Sequence, residues 1–199
     1  VGSQALDANT TGGSNTAVGS QAGTSITTAS SNVAIGKDAL LYATTGSYNT
    51  AVGQSSLRDL TTSGNNSVFG INAALTATGS NNVAFGANTL RGASNNTGAN
   101  NVAVGTQALN SSTTGNNNVG VGFDALQANT TGYDNVAVGA YSLDSNTTGA
   151  NNTALGYGVL NTNTTGSNST AIGHLALRYA TGGFDTAVGA LALAANTTG

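Results

Sequence analysis

The sequence predicts an all-β fold: a parallel β-solenoid (β-roll) of about twelve coils of 17 residues. Three observations predict it. Glycines recur at Gly2, Gly19, Gly36, Gly53, Gly70, Gly86, Gly105, Gly122, Gly139, Gly156, Gly173 and Gly189; eight of the eleven spacings are 17 residues, two are 16 and one is 19. A fixed short period of this kind marks stacked coils. Each glycine from Gly19 onward follows a large apolar residue. The composition disfavours helix, since Glu, Met, Pro, Cys and Trp are absent while Gly, Asn, Thr and Ser, which favour turns and extended chain, abound.

The first element of each coil is a short strand that ends at the glycine. Side chains alternate across a strand, so the residue just before the glycine and the third before it share one face. The residue just before is always large: Val18, Ile35, Val52, Phe69, Phe85, Val104, Val121, Val138, Leu155, Ile172 and Val188. These are expected to fill the core. Between them the side chain is small, and the column Ala34, Ala51, Ala84, Ala103, Ala137, Ala154 and Ala171 is the candidate face for contact between chains, because small residues let a neighbour approach closely. The alternative is that this alanine lies under a thin layer of solvent.

The glycine follows as a bend where φ is positive or a side chain would clash. Four residues on, a leucine returns, and Leu109, Leu126, Leu143, Leu160 and Leu177 complete the expected core. Two coils break the pattern at Gly23 and Ala74, where Ile26 and Leu75 follow and local repacking is expected. The 19-residue spacing predicts a bulge in a surface turn over Arg91, Gly92, Ala93, Ser94, Asn95 and Asn96. A Thr-Thr-Gly turn comes next, as at Thr113, Thr114 and Gly115. Each coil closes on an asparagine: Asn15, Asn32, Asn49, Asn66, Asn82, Asn101, Asn118, Asn135 and Asn152, with Ser169 and Asp185 substituting. Asparagine tolerates left-handed backbone and its amides bond when stacked, which predicts a structural ladder at a corner.

About three core side chains per coil make a thin solenoid marginal alone, so a symmetric oligomer packed through the alanine columns is expected to supply further burial. Residues 1–199 read as one array. Neither end carries a polar cap, so the array is expected to be a slice of a longer fibre that continues or stacks end to end.

Charge and composition exclude several function classes. Lys and Arg total four and the formal net charge is -3, which gives no basis for following a phosphate backbone. No apolar run approaches the roughly 18 residues needed to cross a bilayer, and no stretch of these residues reads as a secretory signal. With no Cys, disulfide stapling is excluded.

No catalytic grouping emerges. The only histidine, His174, occupies a position that elsewhere holds Ser20, Lys37, Thr106, Phe123 or Tyr157, and a position so permissive reads as exposed. The carboxylates Asp7, Asp38, Asp59, Asp124, Asp134, Asp144 and Asp185 fall in different phases, so neither a calcium-binding β-roll nor an EF-hand is indicated. Glycine matches such as Gly156-Tyr157-Gly158 precede no helix that would receive a phosphate. No cofactor and no metal are expected. Pairs such as Thr130-Thr131, Thr147-Thr148 and Thr164-Thr165 either project a hydroxyl ladder that orders water or ice, or binds or carries sugar, or bond locally to their own turns. Asn129, Asn146 and Asn196 formally begin glycan acceptors, which an Asn/Thr-rich repeat produces without selection. Tyr48, Tyr133, Tyr141 and Tyr157 fall in several phases and define no single face.

At Asn32-Val33-Ala34-Ile35-Gly36 and Ser169-Thr170-Ala171-Ile172-Gly173 the chain resembles the head repeats of trimeric autotransporter adhesins of the YadA type. It is also similar, over nearly its whole length, to the Asn-Thr-Ala-Val-Gly…Ala-Leu…Asn-Thr-Thr-Gly arrays of bacterial surface-fibre and phage tail-fibre proteins. The resemblance implies a left-handed roll assembled as a homotrimer, although parallel crossovers are generally right-handed. Two departures stand beside it: the repeat is a few residues longer than the adhesin unit, and the chain shows no coiled-coil stalk, membrane anchor or C-terminal chaperone. The function expected is that of a non-enzymatic fibre at the cell surface, outside the cell or on a virion, serving as rigid rod and adhesive surface. Its expected partners are identical chains, as a homotrimer or an end-to-end filament, then a host surface, matrix or glycans. A phage tail-fibre shaft and an ice- or carbohydrate-binding module using the threonine ladder are the alternatives.

Overall fold

The computed structural model describes residues 1–92 and 96–197. Eleven strands of three residues appear in chain order: β1 Thr16–Val18, β2 Val33–Ile35, β3 Thr50–Val52, β4 Ser67–Phe69, β5 Val83–Phe85, β6 Val102–Val104, β7 Val119–Val121, β8 Val136–Val138, β9 Thr153–Leu155, β10 Thr170–Ile172 and β11 Thr186–Val188. They form one parallel sheet in which each strand pairs only with its sequence neighbours. Ala103 opposes Gly120, and Val104 opposes Val121, so equivalent residues stack in columns. This is the predicted parallel β-solenoid. Ten steps of about 4.8 Å set the sheet's length at roughly 48 Å.

Hydrogen bonds between coils continue around the whole cross-section. Gly122 donates to the Val104 carbonyl at 2.8 Å, Leu109 to Ala125 at 3.0 Å, and Thr113 to Thr130 at 2.9 Å. The coils are thus tied on every wall, which satisfies backbone groups that a three-residue strand alone would leave unpaired. On either side of the long spacing the ladder persists: Gly92 donates to Asn110 at 3.0 Å and Ala77 pairs with Asn96. Residues 93–95 of the expected bulge lie outside the described residues.

The interior overturns one expectation. Within each strand it is the middle, small residue that points inward: Ala34, Ala51, Ala84, Ala103, Ala137, Ala154 and Ala171 are all buried and belong to the core, so they are not a face for contact between chains. The residues expected to fill the core point outward. Val18, Ile35, Phe85, Val104, Leu155, Ile172 and Val188 are exposed, with Leu155 at 46%, and Val52, Phe69, Val121 and Val138 are half-buried. The reason is geometric. A strand of three residues bounded by bends turns its two ends to one side and its centre to the other. The coil's narrow interior already holds a leucine, which leaves room for a methyl group, or at Val68 a single branched side chain, and not for two. At Gly120 the packing is visible, because a β-carbon there would sit 3.5 Å from Leu109 Cγ.

Leu109, Leu126, Leu143, Leu160 and Leu177 are buried as expected. Each adopts a left-handed backbone, with φ between 48° and 53°. That conformation costs an L-residue about 1–2 kcal/mol, and burying a leucine side chain contributes about 1.5–3 kcal/mol; the leucine therefore offsets its own bend. At the coil where Gly23 replaces leucine, buried Ile26 fills the gap, since a β-carbon on Gly23 would lie 2.9 Å from Ile26 Cδ1. Leu75 is likewise buried beside Ala74.

The asparagine corner is a continuous ladder. The Asn118 backbone N–H donates to Asn101 Oδ1 at 2.9 Å, its own Oδ1 accepts the Asn135 N–H at 3.1 Å, and its Nδ2 donates to the Gly132 carbonyl at 2.9 Å. The pattern runs from Asn15 to Ser169, which accepts from Asp185 through a hydroxyl at 3.3 Å.

Candidate functional site

The molecule offers surfaces. The largest is the outward side of the sheet, two parallel columns one residue and three residues before each glycine. The first column is wholly apolar, while the second mixes Val33, Val83, Val102, Val119 and Val136 with Thr16, Thr50, Ser67, Thr153, Thr170 and Thr186. In the first column Phe69 and Phe85 stack with ring centroids 4.5 Å apart. The first column alone is apolar along the roughly 48 Å of the sheet, and contiguous apolar surface of this kind marks interaction sites.

The threonine turns form a second surface. The first threonine of each pair is committed to the stack: Thr113 Oγ1 donates to the Thr130 carbonyl, Thr130 to Thr147 and Thr147 to Thr164, each at 3.0 Å. The second is different. Thr28, Thr45, Thr114, Thr131, Thr148 and Thr165 are exposed and use no hydroxyl in an internal bond, so they make a row of free hydroxyls. The asparagines ahead of these pairs face inward. Asn129 and Asn146 are buried, and their amides donate to Gly132 and Gly149 at 3.0 Å, which removes them as glycan acceptors in the folded chain. Of the third formal acceptor, Asn196 to Thr198, the last residue lies outside the described residues.

A third surface lies beyond the glycine bend of the last coils. Phe123, Tyr141, Tyr157 and His174 form one row: Phe123 meets Tyr141 edge to face at 5.4 Å, Tyr141 meets Tyr157 edge to face at 5.7 Å, and Tyr157 stacks on His174 at 5.5 Å and 16°. His174 is exposed, as its permissive position predicts, but it has company. The spacing concealed the row because Phe123, Tyr157 and His174 sit one residue after their glycines and Tyr141 two after. Tyr48 and Tyr133 belong to other walls. Beside the row lies an open cavity of about 200 Å³ lined by Tyr141, Tyr157, Gly158, Asn161, Leu175 and Arg178.

The carboxylates do not gather. Among the described residues no three His, Cys, Asp or Glu side chains are placed to hold a metal ion. Asp144 is raised above the ordinary carboxylate range by burial and then by the charge of Asp124, against a hydrogen bond from Asn161 that lowers it. Asp124 is raised by burial. Its Oδ1 is enclosed without a partner. Lys37 pairs with Asp38 at 3.7 Å and Arg58 with Asp59 at 2.7 Å on the first coils. No helix among the described residues is long and apolar enough to cross a membrane. No family model, curated protein or solved structure matches the chain.

Proposed function

We propose that this chain is the shaft of a non-enzymatic fibre, a rod whose outward Val, Ile and Phe columns are covered by identical chains. One observation carries the reading: a sheet roughly 48 Å long whose every strand turns a large apolar residue to solvent, from Val18 to Val188. A lone chain has no use for that surface, whereas three copies around an axis would bury it as a common core. The YadA-type resemblance favours three. Placement at a cell surface or on a virion belongs to the same reading, since a passive rod acts by length and by what its outer walls present.

Light scattering tests the assembly. The expected mass is three times that of one chain, and Val104→Asp combined with Val138→Asp should give monomers that keep the β circular dichroism. A monomeric parent protein, or a double variant that still assembles, would overturn the proposal. The row of free hydroxyls from Thr114 to Thr165 favours a second reading, in which a regular hydroxyl array orders water at an ice surface. Thermal hysteresis lost on replacing Thr131 and Thr148 by Val would support it, and absence of hysteresis in the parent protein would end it.

A further inference from the structure

The cavity beside the aromatic row is built from positions that elsewhere in the array carry ordinary surface residues. One residue after the glycine, where Tyr157 stands, other coils have Ser20, Gln54, Ala87 or Ala140; two residues after, Gly158 replaces side chains such as Asn72, Asn88 and Gln107. The absent side chain at Gly158 opens the hollow, whose floor is Leu175: a β-carbon on Gly158 would lie 2.6 Å from Leu175 Cδ2. Tyr157 is 50% exposed and lines the hollow, its ring held between His174, which stacks on it, and Tyr141, which meets it edge to face.

The polar groups converge on the same hollow. Asn161 Nδ2 donates to the Tyr141 carbonyl at 3.2 Å and the same amide bonds to Asp144, which leaves Oδ1 to accept from a ligand hydroxyl. Arg178 is the only cation after Arg91. Among the described residues its guanidinium makes no ion pair; it lies over the Tyr179 ring at 5.0 Å, a position that orients its donors while leaving its charge unneutralised. A flat apolar wall, a hydroxyl acceptor and a cation at the rim match one kind of ligand, a ring with an apolar C–H face, equatorial hydroxyls and a carboxylate. The size agrees. At about 200 Å³ the cavity is smaller than the roughly 300–1,000 Å³ typical of sites for larger organic ligands, so it takes one ring of a longer molecule.

We infer that the hollow between Tyr157 and Arg178 binds a carboxylated pyranose, a uronic or sialic acid residue of an acidic glycan, with the sugar's C–H face on Tyr157 and its carboxylate on Arg178. The site specifies what the rod's outer wall would hold, and rests on the fibre reading only in supposing that this wall meets a glycan-bearing surface. Methyl glucuronoside and methyl glucoside are the probes, read by saturation-transfer NMR on the full chain. The glucuronoside should bind, with its affinity falling at least tenfold in Tyr157→Ala, in Arg178→Gln and in the pocket-filling Gly158→Asn. Each substitution has a precedent in another coil, at Ala140, Gln127 and Asn88 respectively, and circular dichroism checks that each variant keeps the parent fold. Equal binding of the two sugars would overturn the pairing of Arg178 with a carboxylate. Binding of neither, or binding indifferent to all three substitutions, would overturn the site. Oligomer mass measured on the same samples tells failure of the sugar site apart from failure of the fibre reading.

Discussion

Replacing Asn118 by alanine isolates what the corner ladder contributes. The side chain accepts the Asn135 N–H at 3.1 Å and the Asn135 amide at 3.2 Å, and donates to Gly132 at 2.9 Å and to Asn101 at 3.3 Å. Of these partners, only the Asn135 N–H has nowhere else to turn. Gly132 keeps a bond from Asn129, Asn101 Oδ1 keeps the Asn118 backbone N–H, and the Asn135 amide keeps Gly149. One orphaned buried donor costs about 1–3 kcal/mol, and three lost bonds with surviving alternatives contribute about 0.5–1 each, so the loss should be about 4 kcal/mol. Asn118→Ser should recover about half of it, because Ser169 already serves its successor through a hydroxyl but has no bond to the following glycine carbonyl. Urea unfolding at fixed protomer concentration gives the total, and hydrogen exchange at the Asn135 amide gives the local part, which matters in a stacked array where one coil can open alone. A loss under about 1 kcal/mol, or an Asn135 amide as protected as before, would refute the assignment of the ladder as the corner's support.

Two glycines of one strand and bend should respond very differently. Gly122 has φ +136° and a β-carbon there would lie 2.6 Å from the Gly139 carbonyl carbon, so Gly122→Ala should lose about 3 kcal/mol or more in urea unfolding. Gly120 stands in the inward column that most coils fill with alanine, and a β-carbon there would lie 3.2 Å from the Ala125 carbonyl oxygen, so the entropic gain is set against a tight contact and Gly120→Ala should stay within about 1 kcal/mol of the parent in the same assay. Leu109→Ala empties a buried site and should cost about 2–5 kcal/mol in the same unfolding measurement. Asp124 and Asp144 hold protons more tightly in the folded chain than in the unfolded one. Stability should therefore fall as pH rises from the ordinary carboxylate value through their raised values, and Asp144→Asn should flatten that slope in urea midpoints taken from about pH 3 to pH 7.

The repeat, the parallel stacking, the leucine column and the asparagine ladder were legible because each rests on local chemistry that one coil states in full. The direction of the strand was not, although a signal for it existed. The residue three before the glycine shares its face with the residue just before, and it accepts Thr16, Thr50, Ser67, Thr153, Thr170 and Thr186. A column that admits hydroxyls in six of eleven coils faces water or a partner, and the column that holds only Ala, Gly and Val faces inward. The same permissiveness argument places His174 outside. The left-handed leucines leave no such trace, because leucine rarely adopts positive φ and only the closed coil requires it. The hollow at Gly158 was equally hidden, since it arises from Tyr157 and Arg178 meeting across the bend rather than from adjacency in sequence.

The inverted strand also changes what the apolar residues imply. A 17-residue coil encloses one leucine and two or three alanines, as at Ala171, Ala176, Leu177 and Ala180, which leaves no room inside for the large residue before each glycine. If the outward position were merely solvated, the composition seen two residues earlier, half of it Thr or Ser, would be expected there too. Instead the residue before the glycine is Val, Ile, Leu or Phe in all eleven strands. Two columns of one face, in one chain, thus differ in polarity, and a covered first column would account for the difference. On the fibre reading the residues from Val18 to Val188 form a core that exists only between chains, with the threonines of the neighbouring column at its rim. The contact face then consists of large side chains that interlock, and the small ones serve to keep each coil thin.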